Sequence, residues 1–279
     1  MTARWEDPNG YPARHPMTTG GLVRVCVLGP LLLVLNFGSL VLLLLLRLIE
    51  RPIFGEHRPW TPYIVQFVCR NSLRLLRIRL SVNGQPMRQH GAIVANHSSW
   101  LDIYVLNARK RVYFVSKAEV SGWFGIGALA RATGTVFIER ARKHAAAQRD
   151  LMKVRLGFGH KLLFFPEGTS TNGRLVLPFK PTLFEALFEI GDADLFVQPV
   201  AVEYRAPNGE DPRFYGWWGE LDFAPHMLSI FAARAGGQVT IHYLEPLRVS
   251  DFRDRKALAA ACHAAVSGAL QTAIAGAST

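Results

Sequence analysis

Cysteine is scarce in this chain. Only Cys26, Cys69 and Cys262 occur in 279 residues. Far apart and odd in number, they offer neither a disulfide framework nor paired thiols for zinc, and they fit a reducing compartment. The histidines are scattered, so no metal centre is expected. No Gly-x-Ser-x-Gly elbow occurs, which counts against a serine nucleophile of the α/β-hydrolase kind. Acidic residues are outnumbered by basic ones, 21 to 32, for a formal charge of +11. That imbalance suits a polyanionic partner such as anionic lipid, an acidic carrier protein or nucleic acid. Nucleic acid is disfavoured, because the basic residues form no nucleic-acid motif.

Charge is missing altogether from Val25 to Leu46. Twenty-two helical residues rise about 33 Å, enough to cross a hydrocarbon core of about 30 Å. A cleaved signal would have a shorter apolar run and a small-residue cleavage site. A retained transmembrane anchor is therefore expected over residues 22–48, behind a Pro- and Gly-rich, disordered lead over residues 1–20. Basic residues flank both ends, Arg4, Arg14 and Arg24 before and Arg47, Arg51 and Arg58 after, and by a small margin the bias favours a cytoplasmic C-terminal side. Residues 60–80 mix Ile64, Val65, Phe67 and Val68 with Arg70, Arg74, Arg77 and Arg79, the pattern of an amphipathic helix in the membrane interface. A domain helix with a solvated basic face fits that pattern equally.

Residues 78–279 read as one α/β domain. Short apolar runs predict strands at Ile78–Val82, Ala92–Ala95, Val112–Val115, Thr135–Ile138, Lys161–Phe165, Phe196–Val202 and Val239–Tyr243. Helical stretches separate most of them, near Trp100–Asn107, Trp123–Ala132, Lys143–Gly157, Leu183–Ile190, Pro225–Ala235 and Phe252–Ala275. The alternation implies a mixed, largely parallel sheet flanked by helices.

Three polar clusters end such strands, where sites in α/β sheets form. Asn96, His97 and Asp102 come first. A neutral imidazole takes a proton near neutral pH, and a nearby carboxylate holds its tautomer. Ser98 and Ser99 beside them read as helix-capping residues. Gly134, Phe137, Ile138, Glu139 and Arg140 form the second cluster. Phe165, Pro166, Glu167, Gly168 and Thr169 form the third. Pro199 centres a fourth, apolar run.

In this order the blocks resemble those of the glycerolipid acyltransferase family: Asn-His-x4-Asp, Gly-x-x-Phe-Ile-Glu-Arg, Phe-Pro-Glu-Gly-Thr and a proline-centred strand. Lys117 matches a lysine that such proteins often carry between the first two blocks. The resemblance covers about residues 75 to 250. It implies O-acyl transfer from an acyl thioester, on coenzyme A or acyl carrier protein, to a lysolipid hydroxyl, with no bound cofactor. His97 would be the general base and Asp102 its orienting partner. Arg140 would bind an anion through its two-pronged guanidinium. Glu167 would position the acceptor or fix its own turn, and Gly168 and Thr169 would line the site. The family also implies a bacterial inner membrane.

The first acceptor implied is 1-acyl-sn-glycerol-3-phosphate, giving phosphatidic acid. Ser170 departs from that reading, because family members using this acceptor commonly have arginine after Glu-Gly-Thr. A lysolipid with another head group, such as lyso-ornithine lipid, is the alternative. The Phe214–Gly219 and Pro225–Met227 stretches resemble the bacterial branch that makes ornithine lipid. A membrane-bound esterase or thioesterase is a more distant alternative, and a membrane protein that only binds would not need His97, Asp102 and Glu167 together.

Overall fold

The computed structural model describes residues 5–13, 16–123, 125–138 and 145–276. Glu139 and Arg140 lie outside them. The Thr18 hydroxyl accepts the Gly21 amide at 3.0 Å and opens α1 (Thr19–Leu33). A π-helical turn (Val34–Gly38) and α2 (Ser39–Phe54) continue the same axis, giving 36 helical residues. At 1.5 Å per residue they extend about 54 Å. Pro30 removes an amide from the ladder, and the Asn36 side chain donates to Leu32 O at 2.8 Å, where an inserted side chain favours a π turn.

This helix is longer than the expected 22–48 anchor, and it does not stand apart from the domain. Gly21, Leu32, Leu43 and Glu50 are buried, at spacings close to whole helical turns, while Leu22, Val27, Leu31, Val41, Leu44 and Leu48 are exposed. The buried stripe packs on α3 (Thr61–Leu75) and α8 (Phe223–Ala232). Glu50 fastens it: the carboxylate accepts Trp60 N at 2.7 Å, Thr61 N at 3.0 Å, Thr61 Oγ1 at 2.8 Å and Arg47 Nη1 at 3.1 Å. An anion thus caps the positive end of α3 from the neighbouring helix.

α3 buries Thr61, Cys69, Ser72 and Leu73, mostly against α4 (Asp102–Arg109), and leaves Tyr63 and Phe67 exposed. It stops before residue 80. Arg77 takes a left-handed φ of 57°, and its guanidinium donates to Ala233 O and Arg234 O at 2.7 Å. The lead also differs from expectation. Residues 5–13 pack onto the domain, with Asp7 buried and Tyr11 stacked on Trp218 at 5.7 Å. Composition suggested disorder there, but two aromatics and one buried acid supply tertiary contacts.

The strands are β1 (Arg79–Asn83), β2 (Gly91–Ala95), β3 (Tyr113–Lys117), β4 (Val136–Ile138), β5 (Leu162–Phe164), β6 (Phe196–Arg205), β7 (Gln238–Tyr243) and β8 (Leu247–Arg248). Their order is β1-β7-β6-β2-β5-β3-β4, with β8 on β6. β6, β2, β5, β3 and β4 run parallel, whereas β7, β1 and β8 run the other way. Pro199 sits in a central strand without breaking the ladder. It pairs with Val94 on one side, and on the other it falls between the last β8 pair at Val197 and the first β7 pair at Val200, where no amide is needed.

Side chains alternate across β2. Ile93 joins Leu73, Val105, Val202 and Ile241 beneath the α3–α4–α8 layer. Ala92 and Val94 join Leu162, Phe184 and Val197 beneath α9 (Arg255–Gly276), whose Leu258, Cys262, Val266 and Leu270 face the sheet. Between the central strands run α5 (Ile126–Thr133), α6 (Ala145–Gly157) and the short α7 (Glu185–Glu189). Gly134 ends α5 in a left-handed conformation, φ 85°, and a Cβ there would lie 2.9 Å from Arg58 Cζ, so this motif glycine terminates a helix.

Candidate active site

Two of the motif blocks and Lys117 come together past the carboxyl ends of the parallel strands. β2 delivers Asn96 and His97, β5 delivers Phe165 to Gly168, and β3 ends at Lys117. Asn96 clasps the neighbouring strand: its side chain accepts Val202 N at 2.7 Å and donates to Val202 O at 3.0 Å. That pair extends the β2–β6 ladder by one rung and fixes where His97 begins.

His97 Nδ1 donates to Asp102 Oδ2 at 2.7 Å, and the ring stacks on Phe165 at 4.2 Å. Asp102 is fully buried at the start of α4. The same Oδ2 accepts Ser98 N at 2.9 Å and Ser99 N at 3.1 Å, and Oδ1 accepts Tyr204 Oη at 2.7 Å. Four donors thus fix one carboxylate, and its contact with Nδ1 orients the imidazole so that Nε2 is the ring nitrogen left for a substrate. The His97 side chain is 23% exposed, whereas its Asp102 partner is fully enclosed.

Ser98 and Ser99 are buried. Their amides meet Asp102, the Ser99 hydroxyl accepts Leu101 N at 3.3 Å ahead of α4, and the Ser98 hydroxyl accepts Asn96 Nδ2 at 3.3 Å, so both hydroxyls serve the turn. Glu167, also buried, accepts His97 N on Oε1 at 2.6 Å and Leu177 N on Oε2 at 2.7 Å. These two amide contacts tie the His97 turn to the chain at Leu177. Burial pushes its carboxyl up to about 8 against the pull of both amides.

Gly168 turns at φ 72°, and a Cβ there would lie 2.6 Å from Lys180 Nζ. Lys117 Nζ donates to Gly168 O at 2.9 Å. Two ammonium groups therefore flank the Glu167–Thr169 turn. The Gly168 amide is taken by Phe165 O at 3.1 Å, and Pro166 O accepts Lys180 N at 2.9 Å. Arg140 and Glu139, expected at the end of β4, lie outside the described residues. Among the described residues no group of three His, Cys, Asp or Glu side chains suits a metal.

The acyltransferase domain signature matches residues 79–203, which run from β1 to β6 and contain the whole dyad. A lyso-ornithine lipid O-acyltransferase of Rhodobacter capsulatus is 52% identical over 91% of this chain and 93% of its own length. The chain belongs to the acyltransferase family. The lyso-ornithine lipid O-acyltransferase of Brucella abortus is 36% identical over 78% of the chain and 85% of its own. The 1-acyl-sn-glycerol-3-phosphate acyltransferase of Neisseria gonorrhoeae is 35% identical over 50% of the chain and 55% of its own. A crystal structure of the 1-acyl-sn-glycerophosphate acyltransferase of Thermotoga maritima shares the fold, with a TM-score of 0.60 and 20% identity over 91% of this chain and 98% of that one.

The acyltransferase site includes residues that the motifs do not name. Tyr204 lies on β6, and nothing in an apolar strand distinguishes it from a core aromatic. Thr171 N donates to His97 O at 2.9 Å and Trp217 N to Ser98 O at 2.8 Å. These two backbone bonds tie two separate segments to the His97–Ser98 turn, and side-chain patterns do not report them.

Proposed function

We propose that this acyltransferase moves a fatty acyl group from a thioester, on coenzyme A or acyl carrier protein, to the hydroxyl of lyso-ornithine lipid. The observation that carries the acceptor is the 52% identity to the Rhodobacter capsulatus enzyme along nearly all of both chains. Ser170 supports it, because it replaces the arginine expected of a phosphate-bearing acceptor. The 1-acyl-sn-glycerol-3-phosphate reading rests on relatives matched over half the chain.

His97 Nε2 removes the hydroxyl proton as the oxygen attacks the thioester carbonyl. The imidazolium that forms is held by Asp102, whose carboxylate is itself fixed by Tyr204 and two amides. The C–S bond then breaks, and the thiolate recovers the proton from His97. With the Gly168 amide already engaged, those of Thr169 and Ser170 are the turn's donors for the tetrahedral oxyanion. Lys117 and Lys180 add positive charge beside it.

The lysolipid reaches the site from the membrane on which the enzyme sits. Exposed apolar side chains of α1 and α2, with Tyr63 and Phe67 of α3, form the lipid-facing surface. The catalytic domain lies on the cytoplasmic side of the bacterial inner membrane, where the thioester donors are. Membranes from cells producing the protein, given lyso-ornithine lipid and labelled acyl carrier protein, should form labelled ornithine lipid. His97→Ala should cut that formation by roughly 10²–10⁴-fold. Undiminished transfer by the folded variant would sink the mechanism.

A further inference from the structure

Two walls flank the catalytic turn. One is the loop 171–174, joined to it by Thr171 N donating to His97 O; the other is the aromatic segment 213–219, joined by Trp217 N donating to Ser98 O. The walls approach closely, since a Cβ on Gly216 would lie 2.9 Å from Asn172 O. A single side chain from the far N-terminus ties them together. Asp7 Oδ2 accepts Asn172 Nδ2 at 2.6 Å and Arg213 Nη1 at 3.0 Å.

The clamp is built rather than incidental. The Asp7 side chain is 2% exposed, and its Oδ1 accepts Asn9 N at 2.9 Å, closing a turn that orients the carboxylate. Arg213 Nη1 also donates to Gly10 O at 2.9 Å, and its other nitrogens hold Asp211 at 2.9 and 3.1 Å. Asn172 Oδ1 in turn accepts Arg174 N at 2.9 Å, so the carboxylate's grip reaches the residues after Ser170. Tyr11 and Trp5 pack on Trp218 at 5.7 and 6.4 Å and cover the junction.

We infer that residues 5–13 are part of the acceptor site, with Asp7 a positioning residue that holds the 171–174 loop and the 213–219 segment at a set distance across His97. The inference rests on the acyl transfer proposed above. Charge-assisted hydrogen bonds in a buried setting are the strong ones, and losing one partner strands the others. Without Asp7 the walls separate, and the lysolipid hydroxyl is presented to Nε2 less often. The thioester side, at the Gly168 turn, keeps its geometry.

The test uses the full chain in detergent micelles, with whichever of lyso-ornithine lipid and 1-acyl-sn-glycerol-3-phosphate the unsubstituted enzyme turns over. Failure of one acceptor then bears on the acceptor reading and leaves the clamp to be decided on the other. Asp7→Ala should raise the acceptor KM roughly tenfold, with the donor KM unchanged. Asp7→Asn, which keeps one acceptor oxygen, should recover part of the loss. Asn172→Ala should raise the acceptor KM similarly, and the double variant no further, since both act through one contact. Unchanged acceptor KM in a folded Asp7→Ala variant would overturn the inference. So would equal changes for donor and acceptor, or additive effects of the two substitutions, which mark a structural role alone.

Discussion

At the scale of single residues, the dyad depends on a neighbour that lies outside every motif. Tyr204 donates to the Asp102 oxygen that His97 does not use, from 102 positions away in sequence. Tyr204→Phe leaves that oxygen buried without a donor and lets the carboxylate turn, so kcat should fall about tenfold while KM values hold. Steady-state kinetics with both substrates separates that outcome from a binding defect. Buried ionisable groups set two limbs of a stability profile. Glu167 binds its proton more tightly in the fold, at about 8 against 4.5, because burial penalises the charge. Its contribution is full below 4.5 and fades as pH rises to about 8, so the thermal midpoint should fall by several degrees over that interval and Glu167→Gln should flatten the slope. His160 behaves in the opposite sense. Burial and nearby Arg155 push it from 6.5 down to about 3, so the fold loses stability as pH drops through that range, and His160→Phe should protect it.

At the scale of elements, α1 and α2 divide their side chains between protein and lipid. Leu43 is 2% exposed and faces the domain, whereas Leu44 is 49% exposed. Leu43→Ala should cost about 2–5 kcal/mol of stability, measured by denaturant unfolding in detergent, and Leu44→Ala almost nothing. Leu44→Asp should instead weaken retention on lipid vesicles while leaving the fold intact. The strands and most helices were legible in the sequence because each apolar run ends in a turn residue or a charge. β8 was not, since two residues carry no periodicity. Nor was the seat of the long helix, because a segment apolar on every side does not reveal which stripe meets protein. His97, Asp102 and Glu167 stood out through the resemblance of their ordered blocks to the acyltransferase family, since each cluster alone is an ordinary strand-end turn. Tyr204 and Asp7 did not, because their roles exist only through partners 102 and 165 residues away.

At the scale of the whole molecule, one apolar flank and one reactive edge are held in fixed relation. The long helix packs on α3 and α8, Glu50 locks it to α3, and the lead that precedes it clamps the walls beside His97. An enzyme whose acceptor and product both stay in the bilayer needs this coupling between seat and site. The excess of basic residues, 32 to 21, would add attraction to the anionic lipid and acidic carrier protein of the proposed function. Binding to vesicles should weaken as salt rises for the part due to charge, and the apolar flank should retain the remainder. The acceptor is tested most directly by giving the purified enzyme labelled acyl carrier protein with equal amounts of lyso-ornithine lipid and 1-acyl-sn-glycerol-3-phosphate. Label should pass predominantly into ornithine lipid; predominant labelling of phosphatidic acid would contradict the assignment.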